Sequence, residues 1–309
     1  MARFDVTIAG ELNLDLILYG LPEILEPERE LLANDMMLTL GSSSAIVAHN
    51  LASLGSKVGF ISCIGDDQFG QMALERLSAA GVDISKVSKI FGSVKTGLTV
   101  LLQHNKWRNI LTYPGTIFDL KLEHLDFDYL TSSRHFHFSS YYLQRGLQSH
   151  VVDLFKKLRS KGVTISLDCN DDPDDEWGGL EAVLPHVDIF LPNEREATRI
   201  AGTENVEAAI DKLAAMVPLL VVKLGSKGAL ARRGKEQVSS PGVKVDLIDP
   251  VGAGDSFDAG FLHEYLRGSD LATCLKSGNI AGALSVTRPG GTEAFRDAGH
   301  RERFLKQHR

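Results

Sequence analysis

Short apolar runs recur along the chain at 4–9 (FDVTIA), 57–62 (KVGFIS), 134–139 (RHFHFS), 163–168 (VTISLD), 187–192 (VDIFLP) and 218–224 (PLLVVKL). Each has the length of a strand, and their Val, Ile and Phe suit strands covered on both faces. Between them, apolar residues fall at i, i+3 and i+4 over 44–54, 68–80, 147–160, 204–215, 253–267 and 270–286. That spacing gives a helix one stripe to bury. Gly55 and Gly81 follow the first two helical stretches, where a left-handed C-cap favours glycine. The alternation predicts an α/β fold: a central, mostly parallel sheet with helices on both faces.

Two stretches break the alternation. Residues 15–40 hold a strand-like DLILYG, an acidic LPEILEPERELLAN and a second strand-like DMMLTL. Residues 95–113 read as two strands joined by a polar turn. Neither carries a crossover helix. We expect a small β-sheet that projects as a lid, built from about 12–40 and 95–115. Residues 97–103 (GLTVLLQ) would leave an apolar strand half exposed there, which favours a homodimer joined through the lid. No repeat, low-complexity tract or linker divides the chain, so 1–309 reads as a single domain.

Composition narrows the function. With 33 Lys and Arg against 40 Asp and Glu the net charge is −7, which speaks against a nucleic-acid binder. No apolar run reaches the roughly 18–20 residues of a membrane span, and MARFDVTIAGELNLD opens on a strand rather than a signal peptide. Cys63, Cys169 and Cys274 lie far apart without a metal spacing; they read as reduced thiols of a cytoplasmic protein. His104, His135, His137 and His150 lack paired-ligand spacing, and NDDPDDEW (170–177) lacks the glutamate that ends an EF-hand loop. That acidic run reads as a surface loop near the site.

The strongest chemical signal is DPVGAGDSFDAGF, residues 249–261. Gly252, Ala253 and Gly254 follow a strand-like VDLI (245–248) and open an apolar-periodic helix. First-turn N–H groups without intrahelical partners, together with the helix dipole, make an anion site suited to a phosphoryl group. Asp255 falls in that turn, where it either charges the helix start or takes a proton from an attacking hydroxyl. Asp15, with Asn13 beside it, follows the first strand, where open α/β sheets place ligands. Gly41, Ser42 and Ser43 precede a helix, so their N–H groups can face a ligand while a serine caps the helix. Asn193 and Glu196 are spaced as a capping box. Lys223 stands beside Gly225 and Gly228, where a point charge would suit phosphate.

DPVGAGDSFDAGF resembles the C-terminal signature of the ribokinase-like (PfkB) carbohydrate kinases, DTxGAGDxFxAGF, with Pro250 in place of Thr. Residues 41–55, GSSSAIVAHNLASLG, are similar to the family's GGxxANxAxxLAxLG, with Ser42 for the second Gly and Ile46 for an Asn that commonly contacts sugar. GELNLD (10–15), IGDDQFG (64–70), PNEREA (192–197), KLGSKGA (223–229) and GNIAGALSVTRPGGTEAF (278–295) follow in family order. The resemblance implies a ribokinase-like fold and phosphoryl transfer from ATP to a sugar hydroxyl. It makes Asp255 the general base, and Gly252, Ala253 and Gly254 the anion hole. Asn13, Asp15, Gly41, Ser42 and Ser43 become sugar contacts. It places Asn193, Glu196, Lys223, Gly225, Gly228 and Asn279 around the nucleotide. Glu196 would hold Mg²⁺ through water, and Asp249 with the 288–292 loop would hold a monovalent cation such as K⁺. Two alternatives stay open. One is a nucleoside kinase, with Ile46, Trp107 and Tyr113 facing a base; the other is a catalytically silent sugar or nucleotide sensor.

Overall fold

The computed structural model describes residues 2–104 and 107–308. Its strands are β1 (Phe4–Ala9), β2 (Leu14–Tyr19), β3 (Asp35–Leu40), β4 (Val58–Gly65), β5 (Asp83–Ile90), β6 (Leu98–Gln103), β7 (Arg108–Tyr113), β8 (Ser133–Ser139), β9 (Thr164–Asp168), β10 (Ile189–Phe190), β11 (Leu219–Lys223), β12 (Ala229–Arg233) and β13 (Glu236–Ser240). Its α-helices are α1 (Ser43–Ser53), α2 (Gln68–Ala79), α3 (Phe127–Thr131), α4 (Arg145–Gln148), α5 (Val151–Arg159), α6 (Leu180–Val183), α7 (Glu194–Ala201), α8 (Val206–Ala214), α9 (Ala253–Leu266), α10 (Leu271–Ser285), α11 (Glu293–Arg296) and α12 (Ala298–His308). No helix is long and apolar enough to cross a membrane among the described residues.

Among the described residues, nine strands form the main sheet in the order β13-β12-β11-β10-β9-β8-β1-β4-β5. Seven of them run parallel, and the β11–β12–β13 edge is antiparallel. The expected doubly covered parallel sheet is therefore present, and its C-terminal edge collects the ends of β1, β8, β9, β10 and β11. Such a row of strand ends, beside the point where strand order reverses at β1, is where ligands enter open α/β sheets.

The two faces of β8 differ. Phe136 and Phe138 meet Phe155 of α5 edge-on, with centroids 6.1 and 5.8 Å away. On the opposite face His135 and His137 are fully buried and hydrogen-bonded in series with Thr164, Ser166 and Ser139 at 2.7–2.8 Å. Burial pushes His135 down to about 3 and His137 to about 4, so both are neutral polar fillers.

Three local expectations are corrected. VDLI (245–248) is not a strand; Val243, Val245 and Leu247 instead line a cleft, so their alternation serves a wall and not a sheet. The helix expected over 147–160 is broken at Ser149 and His150. Edge strands β5 and the β12–β13 hairpin lie where no strand was expected, because DISKVSKI and the charged ALARRGKEQVSS bury few side chains.

The lid is a second sheet, ordered β3-β2-β6-β7. β2 and β6 pair in parallel at its centre, so the GLTVLLQ strand is interior. Most of its side chains are half-buried as expected, and the more exposed apolar side chains lie on the two edge strands: Met36 of β3 at 59%, and Ile110 at 55%, Leu111 at 56% and Tyr113 at 52% on β7. Ile17 and Leu101 of the lid pack on Val251 of the main body.

Candidate active site

The amino terminus of α9 is the centre of the site. Gly252 caps it with φ of 70°; a side chain there would also collide with Gly291, its Cβ 2.6 Å from that Cα. Ile46 packs against this corner: a Cβ on Gly252 would lie 3.2 Å from its Cδ1. Ile46 is thus 2% exposed and wedged under the glycine loops, and does not offer the apolar sugar or base surface expected of it. Asn50 of α1 holds the same corner, donating to Ser256 Oγ at 2.9 Å and to the Gly291 carbonyl at 3.0 Å.

Asp255 lies in the first turn of α9 and is nearly buried. Burial and the neighbouring Asp168 carboxylate push its pKa up to about 6, against the pull of Lys223 and a hydrogen bond from Ser43. Asn170 Nδ2 donates to its Oδ1 at 3.4 Å. Beneath that turn, Lys223 Nζ lies 2.6 Å from Asp168 and 3.3 Å from Asp258. Burial opposes its charge, but Asp168 and Asp258 hold its pKa well above the ordinary lysine value. A Cβ on Gly254 would be 3.6 Å from that ammonium. Lys223 is therefore not a solvated strand end; it puts positive charge under the amides of 252–254.

On one side of this turn opens a cleft of about 660 Å³, lined by Lys223, Gly225, Gly228, Val245, Ala253 and Asn279 among others. Gly228 has φ of 104°, and a Cβ there would meet the Ser240 carbonyl at 2.0 Å, so no other residue fits. Asn279 donates to the Ser240 and Pro241 carbonyls at 3.0 and 3.1 Å, fixing the cleft's far wall. Asn193 and Glu196 form the expected capping box at the start of α7. Burial, then Asp168, raises Glu196 to about 7, and donor atoms of Asp168, Cys169 and Glu196 lie within 4.8 Å of one another.

On the other side lie the residues expected to contact the sugar. Asp15 is the second residue of β2 rather than the end of β1. Its Oδ1 would be 2.1 Å from a Cβ on Gly41, and Asn13 Nδ2 would be 3.0 Å from it, so Asn13, Asp15 and Gly41 touch. Burial, then Asp255 and Asp249, raises Asp15 to about 7. Ser42 is the N-cap of α1: its Oγ accepts from Ala45 N at 3.1 Å and donates to the Glu11 carbonyl at 2.5 Å. Capping thus accounts for Ser42, while Ser43 faces Asp255. Asp249 is fully buried and its carboxylate accepts from Tyr19, Val251 and Gly290 at 3.0 Å and Gln103 at 3.4 Å. It ties the lid to the body.

Sequence reasoning missed Glu11, Asn170 and Asp258, and saw Asp168 only as the strand end that brings the acidic run near the site. Glu11 is buried and accepts from Ser44, Ser140 and Gln144 at 2.7–3.2 Å, locking β1, α1 and the β8 end together. Its position two residues before Asn13 in GELNLD was the available signal; Asn170 had none outside an acidic surface run. The remaining aspartates of that run do form a loop structure, with Asp172 accepting from the amides of Asp174, Glu176 and Trp177.

A glycine-rich helix start, a buried carboxylate in its first turn and a cleft beside it suit a phosphotransferase. The pattern of the pfkB family carbohydrate kinases matches residues 3–298, and the chain belongs to that family: it is an ATP-dependent carbohydrate kinase. The 2-dehydro-3-deoxygluconokinase of Bacillus subtilis is 28% identical, covering 83% of each chain. The ATP-dependent ribose-1-phosphate kinase of Halopiger xanaduensis is 30% identical over 94% of each. Among solved structures, a candidate Ribokinase II from E. coli in complex with ATP and Mg²⁺ superposes with a TM-score of 0.84 at 26% identity, covering 99% of this chain and 100% of that one.

Proposed function

We propose that Asp255 is the general base of the transfer, with ATP in the cleft of Gly225, Gly228 and Asn279 and the sugar against Asn13, Asp15, Gly41 and Ser43. The observation that carries this is the place of Asp255, buried in the first turn of α9 next to the Ala253 and Gly254 that line the cleft, with its pKa raised to about 6. It is ionised at neutral pH yet basic enough to accept a proton. As the acceptor oxygen bonds to the γ-phosphorus, Asp255 takes its proton and the bond to the β-phosphate oxygen breaks. The amides of Gly252, Ala253 and Gly254, backed by Lys223, face the charge that develops. Substituting Asp255→Asn should lower kcat by about 10²–10⁴-fold with ATP affinity retained. Single-turnover phosphorylation within threefold of the parent would end this assignment.

Glu196 suits Mg²⁺: a buried carboxylate whose pKa burial has raised gains from a hard cation, and Mg²⁺ keeps most of its waters. When bound it would neutralise phosphate charge. Because four donors already occupy the Asp249 carboxylate, a monovalent cation at this corner would take backbone carbonyls instead. Buried free cysteines suit a reducing cytoplasm. We also infer pairing of two chains through the lid, now with β7 and its Ile110, Leu111 and Tyr113 as the apolar edge. Light scattering should give twice the chain mass, and Leu111→Glu should restore the monomer.

A further inference from the structure

Arg108 opens β7 directly opposite Gln103 of β6. Asp15, Ile17 and Tyr19 of β2 share a face with Thr99, Leu101 and Gln103, and this face continues on β7 at Arg108, Ile110 and Thr112. It is the face turned to the body, because Tyr19 and Gln103 reach Asp249 from it and Ile17 and Leu101 pack on Val251. Arg108 therefore stands over the acceptor pocket. Its Nη1 is buried and has no hydrogen-bond partner among the described residues. Its charge reaches Asp15, whose carboxyl it draws down against burial and two neighbouring aspartates.

A buried guanidinium nitrogen without an acceptor is costly, and native proteins seldom leave one so. Neutralising Asp15 would explain the charge of Arg108 but not the unused donor. The missing acceptor then arrives with the ligand. Building on the kinase reading above, we propose that the sugar carries a carboxylate, bound under the lid by Arg108, so that the substrate is a sugar acid. A guanidinium fork matches a planar carboxylate bidentately. A phosphate ester would bring close to a second negative charge into a pocket already holding Asp15, Asp249 and Asp255. One guanidinium charge balances one carboxylate. In this arrangement the carboxylate is anchored at the lid and the hydroxyl to be phosphorylated reaches Asp255.

The test is ATP consumption with gluconate, 2-ketogluconate and a 2-keto-3-deoxyhexonate against ribose, fructose, adenosine and ribose 1-phosphate. Thermal shifts with the same compounds and a non-hydrolysable ATP analogue give binding without turnover. A sugar acid should be the best acceptor. Arg108→Ala should cut its kcat/KM by about 100-fold relative to a neutral sugar, with the KM for ATP within twofold. Arg108→Lys should recover part of the loss by restoring a charge without the fork. Folding is checked by an unchanged melting temperature without ligand. A neutral sugar or adenosine as best acceptor overturns the sugar acid and leaves the kinase intact, and so does ribose 1-phosphate. An Arg108→Ala variant that keeps the parent's discrimination overturns the role of Arg108. No turnover and no thermal shift with any compound overturns the kinase reading itself.

Discussion

Beneath the α9 amino terminus, beside the cleft proposed for the nucleotide, a buried cation has its opposites: Lys223 bridges Asp168 and Asp258. On the side proposed for the acceptor Asp249 accepts from four groups, but two charges are left short. Burial and like-charged neighbours raise Asp15 to about 7, and Arg108 Nη1 has no partner among the described residues. The first arrangement is what a fixed scaffold needs, since an unpaired charge in the interior destabilises. The second is what a binding site tolerates, because its partner comes with the substrate. On the proposed reading, machinery shared by the family is stored in the first and the choice of sugar rests on the second.

The contrast predicts opposite signs for the same kind of substitution. Lys223→Met removes the one cation between two fully buried carboxylates and should cost about 3–5 kcal/mol of folding stability. Urea denaturation without ligand measures it. A loss below about 1 kcal/mol, the level of an exposed pair, would mean that the two aspartates already share a proton and need no lysine, and the paired side would not be a scaffold.

Asp15→Asn probes the other side with a smaller effect. On the proposed assignment, removing the Asp15 charge should weaken acceptor binding by about 1.5–3 kcal/mol. The change should appear in the acceptor KM, with the ATP KM unmoved. A raised ATP KM with an unchanged acceptor KM would place Asp15 on the wrong side of α9.

The same division separates what was legible in the sequence from what was not. Gly252, Ala253, Gly254 and Asp255 are consecutive, so their chemistry can be read from one helix start. The parallel strands could be read because burial on both faces leaves an apolar run. Asp15 and Gly41 could be named from GELNLD and the segment before α1, but Arg108 and Asn170 come from β7 and the loop after β9. Their approach to those residues depends on how the lid folds back, which no local pattern encodes. Ile46 misled because its apolar character answers two glycine loops packed on it, not a ligand. Edge strands β5 and β13, and β12 beside the latter, carry polar faces, and Val245 and Leu247 of VDLI line a cleft wall; in both, exposure to water breaks the link between apolar pattern and strand.

The smallest effect is a gain in stability from the Asp15→Asn substitution, visible only as a function of pH. Asp15 has a pKa near 3.8 when unfolded and about 7 when folded. A raised folded pKa means that the native state binds the proton more tightly. The stabilisation is complete below about 4 and is lost as pH rises through 7. At pH 8 the folded protein must therefore carry a buried carboxylate that it would rather protonate. Asparagine keeps the shape and needs no proton; the full shift corresponds to about 4 kcal/mol, which relaxation around the buried charge reduces, so Asp15→Asn should exceed the parent in stability at pH 8 by on the order of 1–2 kcal/mol. The advantage should shrink steadily to nothing near pH 4. Taking the difference between the two proteins matters here, because buried His49, His135 and His137, with pKa values lowered to about 4, 3 and 4, pull the total stability the other way in the same range. Those histidines are common to both chains and cancel. Melting curves of the two proteins at half-unit steps from pH 4 to pH 8, without ligand, give the measurement. A parent more stable than the variant at pH 8 would show that Asp15 is already compensated in the free protein, most directly by Arg108, and the acceptor side would then be as fully paired as the nucleotide side.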